Sequence, residues 1–237
     1  MKTGRFILID GIAGSGKTTV IQAIFDYLCS EGKTCFRLQD WKEDHPPQFE
    51  EIPDFDVYFT LEPTRQWVGA AIRKEMSQLE HPYNGEELAH AFALDRQIMY
   101  RRLILPALAA GKIVIQDRGV TTSLVYQAIM PGGLSVEEIA KLPGNKLALD
   151  HAPNVLILTS TPIEQIAERI QQRPATQGAA GVFAQVDLAR RVDVIYRSQW
   201  FRELFESKGT RLFELFTGGT QEESKAKAIE LIATLLN

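Results

Sequence analysis

The chain has 237 residues, 45% of them hydrophobic and 24% charged, with a formal net charge of −4. That length holds one sizeable core, and a mildly acidic balance without any long basic run argues against a nucleic-acid groove or an anionic membrane surface as partner. The opening apolar run "FILI" stops at Asp10 and no stretch nears the ~18 apolar residues of a membrane span, so neither a leader nor a span is expected, and the location is expected to be cytoplasmic.

"RFILI" reads as a buried strand, and Val20, Ile21, Ile24 and Leu28 fall at helical spacing over residues 17–30. "KTCFRLQ" is a short strand. Cys29 and Cys35 have no His or Cys cluster nearby, so buried thiols are expected rather than a zinc site or a disulfide framework. Residues 40–56 are acidic and proline-rich, a long surface excursion. "VYFTLEP" is a strand ending at Glu62-Pro63. "TRQWVGAAIRKEM" and "GEELAHAFALDRQIMYRRLILPALAAG" are helical, the second kinked near Pro106 and stopped by Gly111.

"KIVIQD" and "VLILTS" are apolar strands, separated in part by residues 132–153, a segment whose role is open. A helix over 162–173 leads into "RPATQGAAGVF", small, glycine-rich and expected as a mobile loop. A helix then runs to about Glu206, followed by the strand "RLFELF" and a last helix from about Gln221. Strands alternating with helices predict an α/β fold: a mostly parallel sheet, helices on both faces, ligands at the carboxyl ends of the strands. Those ends are Asp10-Gly11, Glu62-Pro63, Asp117-Arg118 and Thr159-Ser160. No repeat or linker interrupts the chain, so residues 1–237 are expected to form a single domain with a lid.

"GIAGSGKT", residues 11–18, matches the P-loop pattern G-x-x-x-x-G-K-[ST] between a predicted strand and a predicted helix. The glycines let backbone N–H groups turn in on a phosphate, Lys17 adds a point charge, and the Thr18 hydroxyl can ligate Mg²⁺. The helix that starts there points its positive end at the anion. The expected nucleotide-binding set, for ATP if the donor is an adenine nucleotide, is Gly11, Ala13, Gly14, Ser15, Gly16, Lys17, Thr18 and Thr19. Such a phosphate is either hydrolysed or handed on. A GTPase would carry a guanine reader, but Asn145-Lys146 is followed by Ala148 where that reader needs Asp. A motor ATPase would end a strand in an acidic pair, whereas "KIVIQD" ends in Asp117 and then Arg118. An arginine beside a γ-phosphate suits charge neutralisation during transfer better than water activation. The bland reading of the pair is a salt bridge capping a strand.

"FILIDGIAGSGKTT", "LEPT…VGAAIRK", "FALDRQ", "ILPALAAGKIVIQDRGVTTSLVYQ" and "PNVLILTSTPIEQIAERI" fall in the order of the motifs of thymidylate kinases. The chain resembles that family from about Phe6 to Tyr196. The resemblance implies a P-loop kinase with a five-stranded parallel sheet flanked by helices. It would move the γ-phosphoryl of ATP onto dTMP with Mg²⁺, usually as a homodimer. It also implies roles for residues. Phe92 and Arg96, four apart on one helix face, match the Phe that stacks on thymine and the Arg that holds the acceptor nucleotide. Arg118 matches the arginine on the acceptor or transferring phosphate, with Asp117 organising Mg²⁺ through water. Tyr126-Gln127 match a pair whose Tyr crowds the sugar 2′ position. Glu62-Pro63 match a strand-end pair, and Arg73 a downstream arginine that reaches the acceptor phosphate. Arg191 and Tyr196 match less sharply.

The implied lid spans about 170–184. The P-loop holds no arginine, so Arg169 or Arg173 must supply a guanidinium to the transferring phosphoryl, and Arg173 is the choice. Catalytic duty is thus expected of Lys17, Asp117, Arg118 and Arg173, and metal binding of Thr18 and Asp117. Four positions depart from the pattern. Ala13 stands where the family usually has Asp or Glu, and Leu61 replaces the Arg of Arg-Glu-Pro. Gly119 replaces an aromatic or His, and Thr159-Ser160 end a strand that elsewhere ends near Asp. Most lie on the acceptor side. Two other readings follow. Glu62-Pro63 with Trp67 also fits a deoxynucleoside kinase, in which Glu62 would deprotonate a 5′-hydroxyl. Ala13 and Gly119 suit a nucleotide-binding module without turnover, against the intact Lys17, Thr18, Asp117 and Arg118.

Overall fold

The computed structural model describes residues 4–77, 82–171 and 179–236. One parallel sheet runs in the order β2-β3-β4-β1-β5-β6. Its strands are β1 (Arg5–Gly11), β2 (Cys35–Arg37), β3 (Val57–Leu61), β4 (Ile113–Asp117), β5 (Val155–Ser160) and β6 (Arg211–Phe216). The last of these makes six strands where the resemblance implied five. The helices in chain order are α1 (Lys17–Ser30), α2 (Trp67–Ala71), α3 (Gly85–Met99), α4 (Leu105–Ala109), α5 (Val120–Tyr126) and α6 (Val136–Lys141). Then come α7 (Pro143–Asp150), α8 (Ile163–Gln171), α9 (Ala179–Tyr196), α10 (Gln199–Glu206) and α11 (Gln221–Leu236).

Phe6 to Ile9 of β1 are all apolar because both faces of the strand are covered. Ile7 and Ile9 pack under Val20, Ile24 and Leu28 of α1 and Ala228 and Ile232 of α11. Phe6 and Leu8 point the other way, into a core with Tyr100, Leu103, Leu124, Val125, Phe201 and Phe205. Ile9 is in register with Asp117, and Gly11 with Thr159. Three strand ends therefore meet where the phosphate loop leaves β1.

Several elements differ from expectation. The break expected near Pro106 is a widened π turn over Tyr100–Ile104, because proline supplies no N–H to the turn before it. The expected glycine-rich loop overlaps 172–178, which lie outside the described residues, and Ala179 already begins α9. The helix expected to reach Glu206 is two helices: Ser198 caps α10 by accepting from Phe201 N at 3.2 Å. Residues 132–153 supply α6 and α7. Cys29 is exposed and Cys35 half-buried, rather than both buried.

Candidate active site

The phosphate loop is a backbone construction. Gly11 and Gly16 have φ of 141° and 86°, which L side chains rarely adopt. A Cβ on Gly11 would also sit 2.5 Å from Thr159 Oγ1. Lys17 Nζ donates to the carbonyls of Gly11 and Ile12 at 2.8 Å each, folding the loop around the ammonium. Ser15 Oγ meets Thr159 Oγ1 at 2.6 Å, and Thr217 Oγ1 donates to Ser15 O at 2.7 Å. Thr159 is thus a neutral brace for the loop. α1 begins without a side-chain cap and without an acid in its first turn, so its N–H groups remain available to an anion.

A cleft of about 510 Å³ opens over this loop. Ala13, Gly14, Gly16, Lys17, Thr18 and Thr19 line it on one side, and Asp117, Arg118 and Arg169 on another. Gly11 and Ser15 lie buried beneath it. Arg169 donates to Gly14 O at 3.0 Å and to Thr217 O at 3.1 Å, so it clamps the loop to the turn after β6. That turn and the first turn of α11 bring Thr217, Gly219, Gln221 and Ser224 to the cleft. Sequence reading missed this contribution, and its one local signal is Gly-Gly-Thr after a predicted strand. Arg173 lies outside the described residues.

Asp117 and Arg118 close the far side. Asp117 Oδ1 is buried with no hydrogen-bond partner among the described residues, and burial raises its pKa against the pull of Arg118 and Lys17. Arg118 has φ of 64° and donates its backbone N–H to Ile9 O at 2.9 Å. Burial lowers its pKa, but Asp10, Tyr126, Tyr196 and Asp117 together outweigh burial and the net shift is upward. Its guanidinium lies 5.9 Å from the centre of the Tyr126 ring. The Tyr126 hydroxyl accepts from Ala13 N at 3.1 Å, so this ring ties the loop to α5. Gly119 packs where a Cβ would stand 3.0 Å from Leu8 Cδ1, leaving little room for the family's larger side chain.

The acceptor-side residues form a knot. Arg96 is fully buried, and its Nη2 lies 2.7 Å from Glu62 Oε2. Its Nη1 donates to Asn145 Oδ1 on α7. Gln116 Nε2 donates to the other Glu62 oxygen at 2.7 Å and to Arg118 O at 2.8 Å. Burial raises the Glu62 carboxyl to about 7, against the pull of Arg96. The structure thus brings Glu62 and Arg96 together but gives both to the interior. Asp95 accepts from Thr64 N at 2.7 Å and from Thr64 Oγ1 at 2.6 Å, holding the Glu62-Pro63 turn, whose peptide is cis, against α3. Arg73 Nε donates to Pro63 O at 2.8 Å and lies within electrostatic reach of Arg65, Asp117 and Arg118. Phe92 is half-buried on the same face of α3 as Arg96. Gln127 is buried with Oε1 unpartnered among the described residues. Arg191 donates to Ile129 O at 3.1 Å, at the end of the 3-10 turn that follows α5.

Comparison with known proteins places the chain. The family model for thymidylate kinase matches residues 49–216. A second model, for the viral superfamily 1 RNA helicase core domain, matches residues 7–60, the stretch holding the phosphate loop. The chain is 29% identical over 198 residues to the thymidylate kinase of Desulfotalea psychrophila, covering 84% of this chain and 83% of that one. It is 31% identical over 175 residues to a probable thymidylate kinase of Pyrococcus horikoshii, covering 72% and 71%. The crystal structure of thymidylate kinase from Ehrlichia chaffeensis shares the fold with a TM-score of 0.60 at 17% identity, covering 98% of this chain and 99% of that one. The motifs, the cleft and these matches agree: the chain belongs to the thymidylate kinase family.

Proposed function

We propose that this chain transfers the γ-phosphoryl group of ATP to the phosphate of dTMP, giving dTDP and ADP. One observation carries the reading: the phosphate-loop cleft and the acceptor-side residues share a wall, the pair Asp117-Arg118. In that reading Lys17 and the α1 N-terminus hold the donor phosphates. An oxygen of the acceptor phosphate bonds to the γ-phosphorus, the bond from that phosphorus to the β–γ bridging oxygen breaks, and ADP leaves with the electron pair. An acceptor phosphate is already nucleophilic at neutral pH, so the protein need only align and neutralise. Arg118 and Arg73 bring positive charge to the acceptor and transferring groups. Phe92, Tyr126 and Gln127 meet the base and sugar, and the unpartnered Gln127 carbonyl suits a base N–H. Arg173, on a lid over about 170–184, completes the charge, because Arg169 is engaged with two carbonyls.

The residues present fit Mg²⁺. Among the described residues no cluster of three acids, His or Cys could hold a metal alone, but Mg²⁺ keeps waters and leans on substrate phosphates. The exposed Thr18 hydroxyl and the orphaned Asp117 Oδ1 would hold it, and bound there it would neutralise charge on the donor phosphates. We extend the reading to one catalytic domain, a homodimer without nucleic-acid partner, in the cytoplasm. Among the described residues no helix is long and apolar enough to cross a membrane. The deoxynucleoside-kinase reading needs Glu62 as a base, yet Arg96 and Gln116 occupy both of its oxygens. ADP formation from Mg-ATP is to be measured with dTMP, dUMP, dCMP, dGMP, thymidine and no acceptor. Turnover highest with dTMP is expected. Turnover with thymidine and none with monophosphates would reinstate Glu62 as a base. Tight ATP binding without turnover would favour a binding module.

A further inference from the structure

Asp10 stands where the two halves of the site meet, and neither the phosphate-loop motif nor the acceptor residues account for it. It is the next-to-last residue of β1, with its side chain fully buried. A carboxylate is expensive to bury unless its lone pairs are filled, and here they are filled from three directions. Oδ1 accepts from Gly11 N at 2.8 Å and faces Arg118 Nη1 at 3.4 Å. Oδ2 accepts from Thr121 Oγ1 at 2.5 Å and Thr122 Oγ1 at 2.7 Å. Gly11 opens the phosphate loop, Arg118 follows β4, and the threonines form the first turn of α5. Thr122 Oγ1 also lies 3.4 Å from Arg118 Nη1. The buried Tyr196 hydroxyl sits beside the same carboxylate.

Arg118 needs such an anchor. Its φ of 64° costs a residue with a Cβ about 1–2 kcal/mol. An arginine between two phosphates would also be drawn toward whichever ligand binds first. A fixed negative charge behind it holds the guanidinium on the line between them.

We propose that Asp10 is a positioning residue that holds the Arg118 guanidinium in register with the phosphate loop, so that donor and acceptor phosphates are presented in line. The inference rests on the reading of Arg118 as a group that touches the transferring or acceptor phosphate. Misplacement of such a group by about 1 Å costs about 100-fold in rate.

The test is a double-mutant cycle on the full chain, with Mg-ATP and dTMP. Asp10→Asn is nearly isosteric: its oxygen still accepts from Gly11 N, and its amide can donate to the threonine hydroxyls. The expected single-variant result is a fall in kcat of roughly 30–100-fold, with the KM for ATP within about twofold. In an Arg118→Ala background the same change should cost no more than about threefold, because the group it positions is gone. A residue that only supports the fold would lower Tm and the active fraction but would not lose its effect on kcat when Arg118 is absent. An equal loss in both backgrounds therefore overturns the proposal while leaving the Arg118 reading intact. Full activity of Arg118→Ala alone overturns the Arg118 reading and the proposal with it. If Asp10→Asn does not fold, Thr122→Val enters the same cycle, and about a fivefold loss confined to the Arg118 background is expected from one missing hydrogen bond. Loss in both backgrounds again overturns the proposal.

Discussion

The donor cleft and the acceptor knot sit at the same edge of one sheet but are built by opposite means. In the cleft, several polar groups are left without protein partners among the described residues. α1 begins uncapped, Thr18 is exposed, and Asp117 Oδ1 has no partner among the described residues. In the knot, polar groups turn on one another. Arg96 is 0% exposed between Glu62 and Asn145, Gln116 takes the remaining Glu62 oxygen, and Asp95 closes on Thr64. A cleft of unsatisfied groups waits for a ligand, whereas a network whose charges are paired specifies a core, even with Gln116 Oε1 left without a partner among the described residues. Changes in the first should therefore cost turnover, and changes in the second should cost stability.

Lys17→Ala tests the cleft and carries the largest expected effect. Losing the one ammonium on the phosphate loop should lower kcat about 1,000-fold, about 4 kcal/mol, without a comparable loss of stability. ADP formation and urea unfolding on the same preparation check it. A variant that loses stability but keeps its turnover would break the contrast.

Arg96→Met tests the knot. Removing one partner of a buried pair leaves the Glu62 carboxylate uncompensated and should cost about 3 kcal/mol in urea unfolding. If the variant keeps its stability and loses only dTMP affinity, Arg96 belongs to the ligand and not to the core. The same pair has a pH signature. The Glu62 carboxyl titrates at about 7 in the fold against an ordinary 4.5, so the folded state holds its proton where the unfolded state has released it. Its contribution to stability is present below 4.5 and is lost as pH rises to about 7. Glu62→Gln removes this term. Tm curves of the two proteins should therefore draw together as pH rises across that window, and a constant separation would show that Glu62 stays ionised.

The contrast also explains which parts of the molecule were legible. The phosphate loop depends on residues close in sequence, and strand β1, its glycines and α1 follow one another without interruption, so a spacing rule captures it. Alternating apolar strands and helices likewise gave the sheet. The knot joins Arg96 to Glu62 across 34 residues, Arg96 to Asn145 across 49, and Gln116 to Glu62 across 54. No local window contains such partners, so spacing placed Phe92 and Arg96 on one face but could not say which of them the core would take. Asn145 stood out only as half of a guanine reader, and its buried position on α7 became evident once α3 and α7 were packed together. Arg169 was weighed as a lid arginine because its helix was visible while its two carbonyl partners were not.

Gly69→Ala probes the turn that carries the knot. A Cβ there would stand 2.2 Å from Thr64 Oγ1 and 2.7 Å from Asp95 Oδ1, neither of which can retreat without breaking the Thr64–Asp95 bonds. Overpacking of this kind costs about 2 kcal/mol, and it should appear in urea unfolding. A stable Gly69→Ala protein would mean that the turn shifts freely and that Glu62 is held less tightly than its hydrogen bonds imply.

Arg102→Ala carries the smallest effect and settles which side of the contrast residues 40–56 belong to. Their role was open in the sequence. Here Phe36 packs with Trp41, Phe55 and Tyr58, and Phe49 meets Tyr58 as well, so the excursion caps the sheet beside its edge strand β2. Arg102 fastens it from the π turn, donating to Pro46 O at 2.7 Å, lying 3.7 Å from Glu51 and stacking 5.4 Å from the Trp67 ring. Each of these contacts is partly solvated, so truncation should cost about 1 kcal/mol or less. Turnover should be unchanged, because none of these partners lines the phosphate cleft. Trp67 is the sensitive point: it is 51% exposed with φ of 45°, and it follows closely on the Glu62-Pro63 turn. A rise in the dTMP KM of Arg102→Ala without loss of Tm would mean that Arg102 holds Trp67 for the acceptor, and would move the excursion from the structural region to the functional one.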